Sequence, residues 1–428
     1  MSAVLAVAVF VVVYALIATE RVPRVVAALA GVAAVFALGI TGADEAFYSH
    51  ETGIDWNVIF LLLGMMLVVA GLSRTGLFEF LAIWSAKRTH GRPYALLVLL
   101  ATMTAVASAV LDNVTTVLLV APVTLLVCDR LRLDPIPYLI AEVLASNIGG
   151  TATLVGDPPN IIIGSRADLS FMDFVVNLGP IVVIVMVAFL ALSRWVFRGA
   201  FTFDPEAAAS VADLDERQAI TNPRQLARGL VILGLVLVGF VLQRQLGIDP
   251  SVVALLGGGA MMLAIPGSTE DYIKQVEWET LVFFMALFVL VGALVEVGAI
   301  DSVATALADA VDGSATAASF GILGGSAVLS AIVDNIPYVA AMTPVVDQLA
   351  TSDPALNPGN ALWWSLALGA DLGGNATAIG ASANVVVIGI AKRYGYPISF
   401  WTFTRYGLLV TVVSVALCVP YLWLRYLS

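Results

Sequence analysis

Apolar stretches close to 20 residues long, separated by short polar connections, dominate the pattern along this chain of 428 residues. A helix rises 1.5 Å per residue, so about 20 apolar residues cross the roughly 30 Å hydrocarbon core of a bilayer. The pattern predicts an all-α polytopic membrane protein with about ten transmembrane helices, over residues 3–19, 24–41, 56–73, 137–165, 173–197, 228–246, 250–266, 278–297, 361–391 and 404–427.

Two further apolar segments, 93–128 and 315–350, each contain a polar phrase. Asp112-Asn113 in the first and Asp334-Asn335 in the second are 222 residues apart. A carboxylate at the bilayer centre costs about 2.5–3.5 kcal/mol, so its repetition in register indicates an ion-binding site. The stretch from Val114 to Cys128 has 15 residues, ~22 Å as a helix, which is short of a full span. We therefore expect two re-entrant hairpins with Asp-Asn at their tips; two full spans in each segment are the alternative.

Glycine pairs interrupt two of the predicted spans, 137–165 and 361–391. Glycine permits a helix to unwind, and unwound backbone is tolerated at membrane depth only where it is buried or lines a cavity. Close helix packing by small residues is the alternative. We predict two unwound helices, carrying the motifs Gly149-Gly150-Thr151-Ala152-Thr153 through Asn160 and Gly373-Gly374-Asn375-Ala376-Thr377 through Asn384.

The repeated motifs divide the chain into an N-terminal transmembrane half, 1–197, a linker, 198–228, and a C-terminal half, 229–428. Trp56 and Trp278, again 222 residues apart, open corresponding spans. Inverted repeats with broken helices are a construction plan of secondary transporters, which bind substrate and ions near the bilayer midplane. A duplication retained only for folding is the alternative, but polar residues at the same internal positions count against it.

Positive charge predicts the orientation. Alternating the spans leaves only Arg166, Arg244 and Arg425, of the 20 Lys and Arg residues, on one side. The positive-inside rule makes the other side cytoplasmic. We expect a multi-pass protein of the cell membrane with both termini outside. Segment 198–228 would lie in the cytoplasm, where it would be a solvated linker or a regulatory docking site. Hairpin 93–128 would enter from the cytoplasm and 315–350 from outside, so the repeats would be inverted.

Composition narrows the function classes. The chain is 60% hydrophobic and 12% charged, with a net charge of −11. The sequence has no basic patch of the kind that binds nucleic acids. It also has no nucleophile–base set and no metal-ligand cluster that would indicate an enzyme. Cys128 and Cys418 lie in or beside apolar segments and are expected to be small buried hydrophobes. We predict no cofactor, and no metal site apart from one for Na⁺.

The motif residues form the predicted site. An aspartate at a helix start commonly caps it, but asparagine alone would suffice for that, so we expect the carboxylates also to carry a cation or proton. We assign the coupling ion or proton to Asp112, Asn113, Asp334, Asn335 and Asp371. We assign ion or substrate contacts to Asn147, Gly149, Gly150, Thr151, Thr153, Asp157, Asn160, Gly373, Gly374, Asn375, Thr377 and Asn384.

The halves differ at matched positions, so the predicted site is only pseudo-symmetric. No lysine or arginine is expected at the depth of the acids, which favours a cation or proton over an anion. The matched pairs are Asn147 with Asp371, Thr151 with Asn375, Asp157-Pro158 with Ala381-Ser382, and Glu142 with Leu366.

The runs Leu111–Thr116, Gly149–Asn160 and Gly373–Asn384 resemble the arsenite-efflux (ArsB)/NhaD branch of the ion transporter superfamily, and within it members related to the melanosomal P protein. The resemblance extends from about Trp56 to Gly407. It implies a scaffold and a transport domain in each half, hairpin tips that meet the unwound spans, and often a homodimer that moves as an elevator.

In relatives that carry dicarboxylates with sodium, hairpin-tip asparagines help to hold Na⁺, and the resemblance places Asn113 and Asn335 at those positions. Arsenite pumps often carry the tip in the order Asn-Asp, whereas this chain has Asp-Asn twice. The resemblance therefore leaves the substrate open.

We expect a secondary active transporter for a small inorganic ion, either an arsenite-type anion or Na⁺, by antiport with H⁺ or Na⁺. A sodium-coupled carboxylate symporter and a passive anion channel are the alternatives. The expected partners are the transported ion, membrane lipid and a second copy of the chain; a soluble ATPase subunit stays open.

Overall fold

The computed structural model describes residues 2–19, 21–212 and 215–428, in which every regular element is a helix. This confirms the predicted all-α polytopic fold. Shorter apolar helices occupy three predicted spans, at Ser2–Ala18, Arg24–Ala37 and Pro250–Ala264. Seven helices among the described residues are long and apolar enough to cross a bilayer: Trp56–Ser73, Asn113–Arg130, Phe171–Val196, Pro223–Val241, Trp278–Glu296, Ala315–Ile332 and Phe400–Leu427.

Two helical hairpins occupy the segments with the Asp-Asn phrases. Hairpin 1 consists of Pro93–Ser108 and Asn113–Arg130, and hairpin 2 of Ala315–Ile332 and Asn335–Ser352. The prediction of short arms is wrong, because the second arm of hairpin 1 has 18 residues, about 27 Å as a helix. What distinguishes these segments is that their tips converge on one side chain, Asp157, while their arms pack on different helices.

The two predicted unwound helices are present. Broken span 1 consists of Ile136–Gly150 and Pro158–Arg166, and broken span 2 of Ala361–Gly373 and Ser382–Arg393. In each, a short non-helical turn follows the glycine pair and joins the two parts. Each second part begins a new helix, at Pro158 in broken span 1 and at Ser382 in broken span 2.

Several short helices were not predicted. Leu77–Arg88 and Ala299–Val311 precede the two hairpins, and Ala43–Tyr48 and Thr269–Gln275 precede the two tryptophan-led helices. Because they occur in both halves at corresponding places, they extend the repeat beyond the apolar segments.

Segment 198–228 contains short helical turns rather than only extended chain. They are Arg198–Ala200, Pro205–Ala212 and Glu216–Ala219, and the next long helix already begins at Pro223. Lys87 Nζ lies 2.5 Å from Glu216 Oε2, and Arg132 pairs with Asp204 at 3.0 Å. The hydrogen bond from Lys87 holds the pKa of the Glu216 carboxyl below its usual range. The segment is therefore docked on Leu77–Arg88 and the second arm of hairpin 1.

The two halves interlock. Trp56–Ser73 packs along Pro250–Ala264 of the second half, and Trp278–Glu296 packs along Arg24–Ala37 of the first. A Cβ on Gly64 would lie 2.4 Å from the backbone of Ala254, so glycine lets the first pair approach closely.

Each hairpin packs on the broken span of its own half. The second arm of each hairpin also contacts the broken span of the other half. This crossed packing brings the four polar motifs together between the halves.

A candidate ion site between hairpins and broken spans

Both hairpin tips are capped helix starts. Asp112 Oδ1 accepts a hydrogen bond from the backbone N–H of Thr115 at 2.7 Å, and Asp334 Oδ1 accepts one from Ile336 at 3.0 Å. Each carboxylate satisfies a backbone donor that the helix start would otherwise leave free. One carboxylate oxygen in each half remains for other contacts.

The first glycine of each pair serves close packing, and none of the four glycines has a positive φ. A Cβ on Gly149 would lie 2.2 Å from the carbonyl oxygen of Ala105 in hairpin 1. A Cβ on Gly373 would lie 2.7 Å from the Cα of Ala327 in hairpin 2. These distances support the alternative of small-residue packing. The second glycine of each motif, Gly150 or Gly374, faces a backbone carbonyl across the unwound turn.

The unwound turns are tied to the hairpin tips by the same contact in each half. Thr153 Oγ1 donates to the carbonyl of Ala109, and Thr377 Oγ1 donates to that of Ala331, both at 2.6 Å. These two hydroxyls satisfy backbone carbonyls at the ends of the first hairpin arms, so each tip and its unwound turn form one unit.

Asn160 and Asn384 satisfy carbonyls inside the unwound turns. Asn160 Nδ2 donates to the carbonyl of Thr153 at 3.0 Å, and Asn384 Nδ2 donates to those of Gly374 and Thr377 at 2.8 Å. These bonds fix the orientation of both amides. The Oδ1 atom of each amide is therefore available to the other half.

Asp157 lies where the two hairpin tips meet. Asn113 Nδ2 donates to Asp157 Oδ2 at 3.0 Å, and Asn335 Nδ2 approaches the two carboxylate oxygens at 3.3 and 3.4 Å. Asp157 is fully buried, and its counterpart in the second half is Ala381. The tips from both halves therefore share a single central acid.

Asn147 and Asp371 occupy matching positions but differ in their hydrogen bonds. Asn147 Nδ2 donates to Asn375 Oδ1 at 2.9 Å and to Asn384 Oδ1 at 3.1 Å, both in the other half. The Asp371 carboxylate has no N–H to donate. Neither of its two buried oxygens has a hydrogen-bond partner within the described part of the chain.

The polar side chains that approach Asp371 are Thr151 and Asn160, the counterparts of Asn375 and Asn384. The Thr151 hydroxyl donates to a backbone carbonyl at 2.9 Å, and Asn160 Oδ1 has no donor among the described residues. Three buried acceptor oxygens, two of Asp371 and one of Asn160, therefore lack a donor. Unpaired buried acceptors cost free energy, and a bound proton or cation would offset that cost.

Arg24 brings a positive charge to the tip of hairpin 2. Its guanidinium lies 3.6 Å from Asp334 Oδ2, donates to Ser382 Oγ and lies 5.2 Å from the ring centroid of Phe283. The expectation that no arginine lies at the depth of the acids is wrong, because Arg24 reaches inward from the start of its helix. Asp112 differs, since its Oδ2 atom is buried without a hydrogen-bond partner in the described residues.

The structure brings all of the predicted site residues into this region, and all except Asp334 and Thr377 are buried. Arg24, Ser382 and Glu277 belong to the same region but were not predicted as site residues. Ser382 lies inside a repeated motif, which could have identified it. The other two lie at polar ends of apolar segments, where the sequence does not distinguish a connection from an inward-facing side chain.

Two large cavities approach the site. One of about 670 Å³ lies beside the C-terminal end of Pro158–Arg166. A second, of about 640 Å³, reaches the tip of hairpin 2, and a much smaller opening of about 10 Å³, which shares lining residues with it, lies against Asp112. Among the described residues, no three His, Cys, Asp or Glu lie close enough to hold a metal ion together. The charged residues lining the second cavity are Arg24, Glu277, Glu279 and Asp334.

The citrate transporter family CitMHS matches residues 14–369 of the chain. The chain belongs to this family. CitMHS membership makes it a membrane transporter rather than an enzyme. The "46 kDa membrane protein" of Mycobacterium leprae (strain TN) is 54% identical over 424 residues, which is 99% of each chain. An "Uncharacterized transporter" of Mycobacterium tuberculosis (strain ATCC 25618 / H37Rv) is also 54% identical, over 99% of this chain and 98% of that protein.

Two further comparisons are with more distant proteins. The P protein of Homo sapiens is 34% identical over 96% of this chain and 58% of its own length. This confirms the resemblance to P-protein relatives, whereas the arsenite-efflux/NhaD branch stays a prediction. The solved YdaH transporter of Alcanivorax borkumensis has the same fold, with a TM-score of 0.60 and 16% identity over 86% of this chain and 84% of that one.

Proposed function

We propose that this CitMHS protein is a secondary active transporter that exchanges a small inorganic ion for H⁺ or Na⁺, with the coupling cation held at Asp371 and Asn160 beside Asp157. The observation that carries the proposal is the group of three buried acceptor oxygens without a donor, on Asp371 and Asn160. Carboxylate and amide oxygens are hard ligands that bind alkali and alkaline-earth cations, and a carboxylate also binds a proton.

The first half supplies an internal comparison. At the position matching Asp371, Asn147 donates to two amide oxygens, so no cation is required there. In the second half the donor is replaced by a carboxylate, and a proton or Na⁺ would take the place of the N–H group. The coupling site is therefore single, although the fold is duplicated.

The surroundings of Asp334 also differ from those of Asp371. Asp334 pairs with Arg24 and accepts a hydrogen bond from Ser382 at 2.5 Å, so its charge is already compensated. We therefore assign Asp334 to holding hairpin 2 and Asp371 to coupling. The opening beside Asp112, of about 10 Å³, has room for no more than one small ion.

A sodium-coupled carboxylate symporter is the second candidate. The cavity of about 640 Å³ is large enough for a small carboxylate, and Arg24 lines it. A guanidinium binds carboxylates well, and the family that the chain belongs to is described as citrate transporters. In that case the Arg24 guanidinium would leave the Asp334 carboxylate and pair with the carboxylate of the substrate.

The decisive experiment uses the purified full chain in proteoliposomes. Transport currents would be recorded on solid-supported membranes after jumps in pH or Na⁺, with arsenite, chloride and citrate as cargo. We expect an ion-coupled current for one cargo, lost in Asp371→Asn and retained in Asp301→Asn, an exposed acid outside the site.

The outcomes separate the candidates. A response to citrate that requires Na⁺ on the same side would favour the symporter. Flux that persists without any coupling gradient would favour a channel. Unchanged coupled currents in Asp371→Asn would contradict the proposed cation site.

A further inference from the structure

Glu277 lies outside the repeated Asp-Asn and glycine motifs and has a different environment from its counterpart. It directly precedes Trp278–Glu296, and Asp55 is the matching residue of the first half. Asp55 caps its helix, accepting hydrogen bonds from the N–H groups of Asn57 and Val58 at 3.0 and 3.2 Å. Glu277 makes no such cap. A purely structural role of the Asp55 kind therefore does not explain it.

The Glu277 side chain turns toward hairpin 1 instead. Thr115 Oγ1 lies 3.4 Å from Glu277 Oε1, and Thr280 Oγ1 donates to Glu277 Oε2 at 3.1 Å. The backbone N–H of Thr115 donates to Asp112 Oδ1 at 2.7 Å. One threonine thus connects a carboxylate of the first half with a carboxylate of the second.

The remaining oxygen of Asp112 marks a ligand position. Asp112 is 6% exposed, and its Oδ2 atom has no hydrogen-bond partner in the described chain. Asp112, Glu277 and Thr280 line the opening of about 10 Å³. That volume is close to the space of one water molecule. Two carboxylates beside a space of this size are ligands for a small cation.

Glu277 lies between the opening and the large cavity. Glu277 and Arg24 line both the opening and the cavity of about 640 Å³, whereas Asp112 lines only the opening. Arg24 pairs with Asp334 and its Nη2 lies 3.5 Å from Thr280 Oγ1, and it is the one positive group that lines the opening among the described residues. The acids Asp112 and Glu277 outnumber it there.

We infer that Asp112 and Glu277 form an entrance site for a monovalent cation, with the hydroxyl groups of Thr115 and Thr280 positioning the Glu277 carboxylate. A cation from the large cavity binds here before it reaches Asp371. This inference rests on the proposed cation coupling, since without a coupling cation the entrance site has no role.

The test is the concentration dependence of coupled transport in Glu277→Gln. Removing one of two ligand charges should raise the Na⁺ or H⁺ concentration for half-maximal current at least about tenfold, equivalent to about 1.4 kcal/mol. The maximal current should be retained, because Asp371 is intact. Glu279→Gln is the matched control, since Glu279 lines the large cavity but not the opening.

Thr115→Val provides a second variant that keeps the side-chain volume and all formal charges. It should shift the half-maximal concentration in the same direction. The entrance site would be overturned if the half-maximal cation concentration were the same as in the wild type in both Glu277→Gln and Thr115→Val. Equal shifts of that concentration in Glu277→Gln and Glu279→Gln would also overturn it. Loss of coupling in Asp371→Asn would still stand in that case, so failure of this inference is distinguishable from failure of the proposed function.

Discussion

Asn147 and Asp371 have nearly the same shape and matching places in the repeat, yet one donates hydrogen bonds where the other offers only acceptors. Both are fully buried. A buried amide with its partners in place contributes to stability, whereas a buried carboxylate without donors costs free energy unless it binds something. The difference of one amide group therefore separates a structural role from a binding role.

Exchanging these roles gives a prediction about stability. Asp371→Asn should raise the free energy of unfolding by about 1–3 kcal/mol in cation-free buffer, because the new N–H can donate to Asn160 Oδ1. Asn147→Asp should lower it by a similar amount. Thermal unfolding of the purified variants in detergent would measure both. A lower melting temperature for Asp371→Asn than for the wild type would contradict this account.

Asp157 gives a second prediction for a single residue. Asp157→Ala, which copies Ala381 of the second half, would leave the amide of Asn335 without its acceptor. We expect a loss of about 1–3 kcal/mol in unfolding free energy, together with loss of transport. Asp157→Asn keeps an acceptor oxygen and should be destabilised less. Equal stability of Asp157→Ala and the wild type would refute the convergence of the tips on this side chain.

At the scale of elements, each hairpin is held against its broken span by backbone contact at glycine. Gly373 faces Ala327 of hairpin 2, and Gly369, one turn earlier, faces the carbonyl of Leu323 at 2.5 Å from where its Cβ would be. This close packing makes hairpin and broken span a unit. Motion of a hairpin would therefore carry its broken span with it.

A pair of glycine substitutions checks this packing. Gly373→Ala should destabilise the protein by about 1–3 kcal/mol, because the added methyl group has no space beside Ala327. Gly325→Ala, in the first arm of hairpin 2, places its methyl group in open space and should be neutral or slightly stabilising. Chemical denaturation of both variants in micelles would decide. Similar effects of the two substitutions would show that the contact at Gly373 is not close.

Much of the element order could be predicted, because apolar length and polar punctuation are both visible in the sequence. The helix Trp56–Ser73 has the predicted bounds, and both Asp-Asn phrases lie at hairpin tips. The short helices Leu77–Arg88 and Ala299–Val311 were missed because they contain no apolar run of spanning length. The unwound turns at the glycine pairs were predicted, but the packing of Gly149 and Gly373 on the hairpins could not be, because those neighbours come from another element.

At the scale of the whole molecule, the site exists only where the halves interlock. The central acid Asp157 belongs to the first half and Asp371 to the second, while the hairpin tips come from both. The sequence predicted which residues recur, but Arg24 and Glu277 act across the contact between halves, and no local pattern encodes that contact. The predicted homodimer and both outside termini stay predictions at this scale.

The orientation of the molecule can be tested with cysteine labelling. Cys128 and Cys418 are buried, so they should react little with a membrane-impermeant maleimide. Gln218→Cys, exposed in segment 198–228, should be labelled only from the cytoplasmic side of cells or vesicles. His50→Cys, also exposed, should be labelled only from outside. Labelling of both positions from the same side would refute the predicted topology.

The hydrogen bonds of Asn147 also affect how the protein is made. Asn375 and Asn384, which accept those bonds, lie 228 and 237 residues later in the chain. At 5–20 residues per second, a ribosome needs roughly 10–50 s to supply them. During that interval the nascent first half holds an unsatisfied amide in or beside the bilayer. The N-terminal half expressed alone should therefore be a substrate for membrane quality control, and co-synthesis of the second half should rescue it.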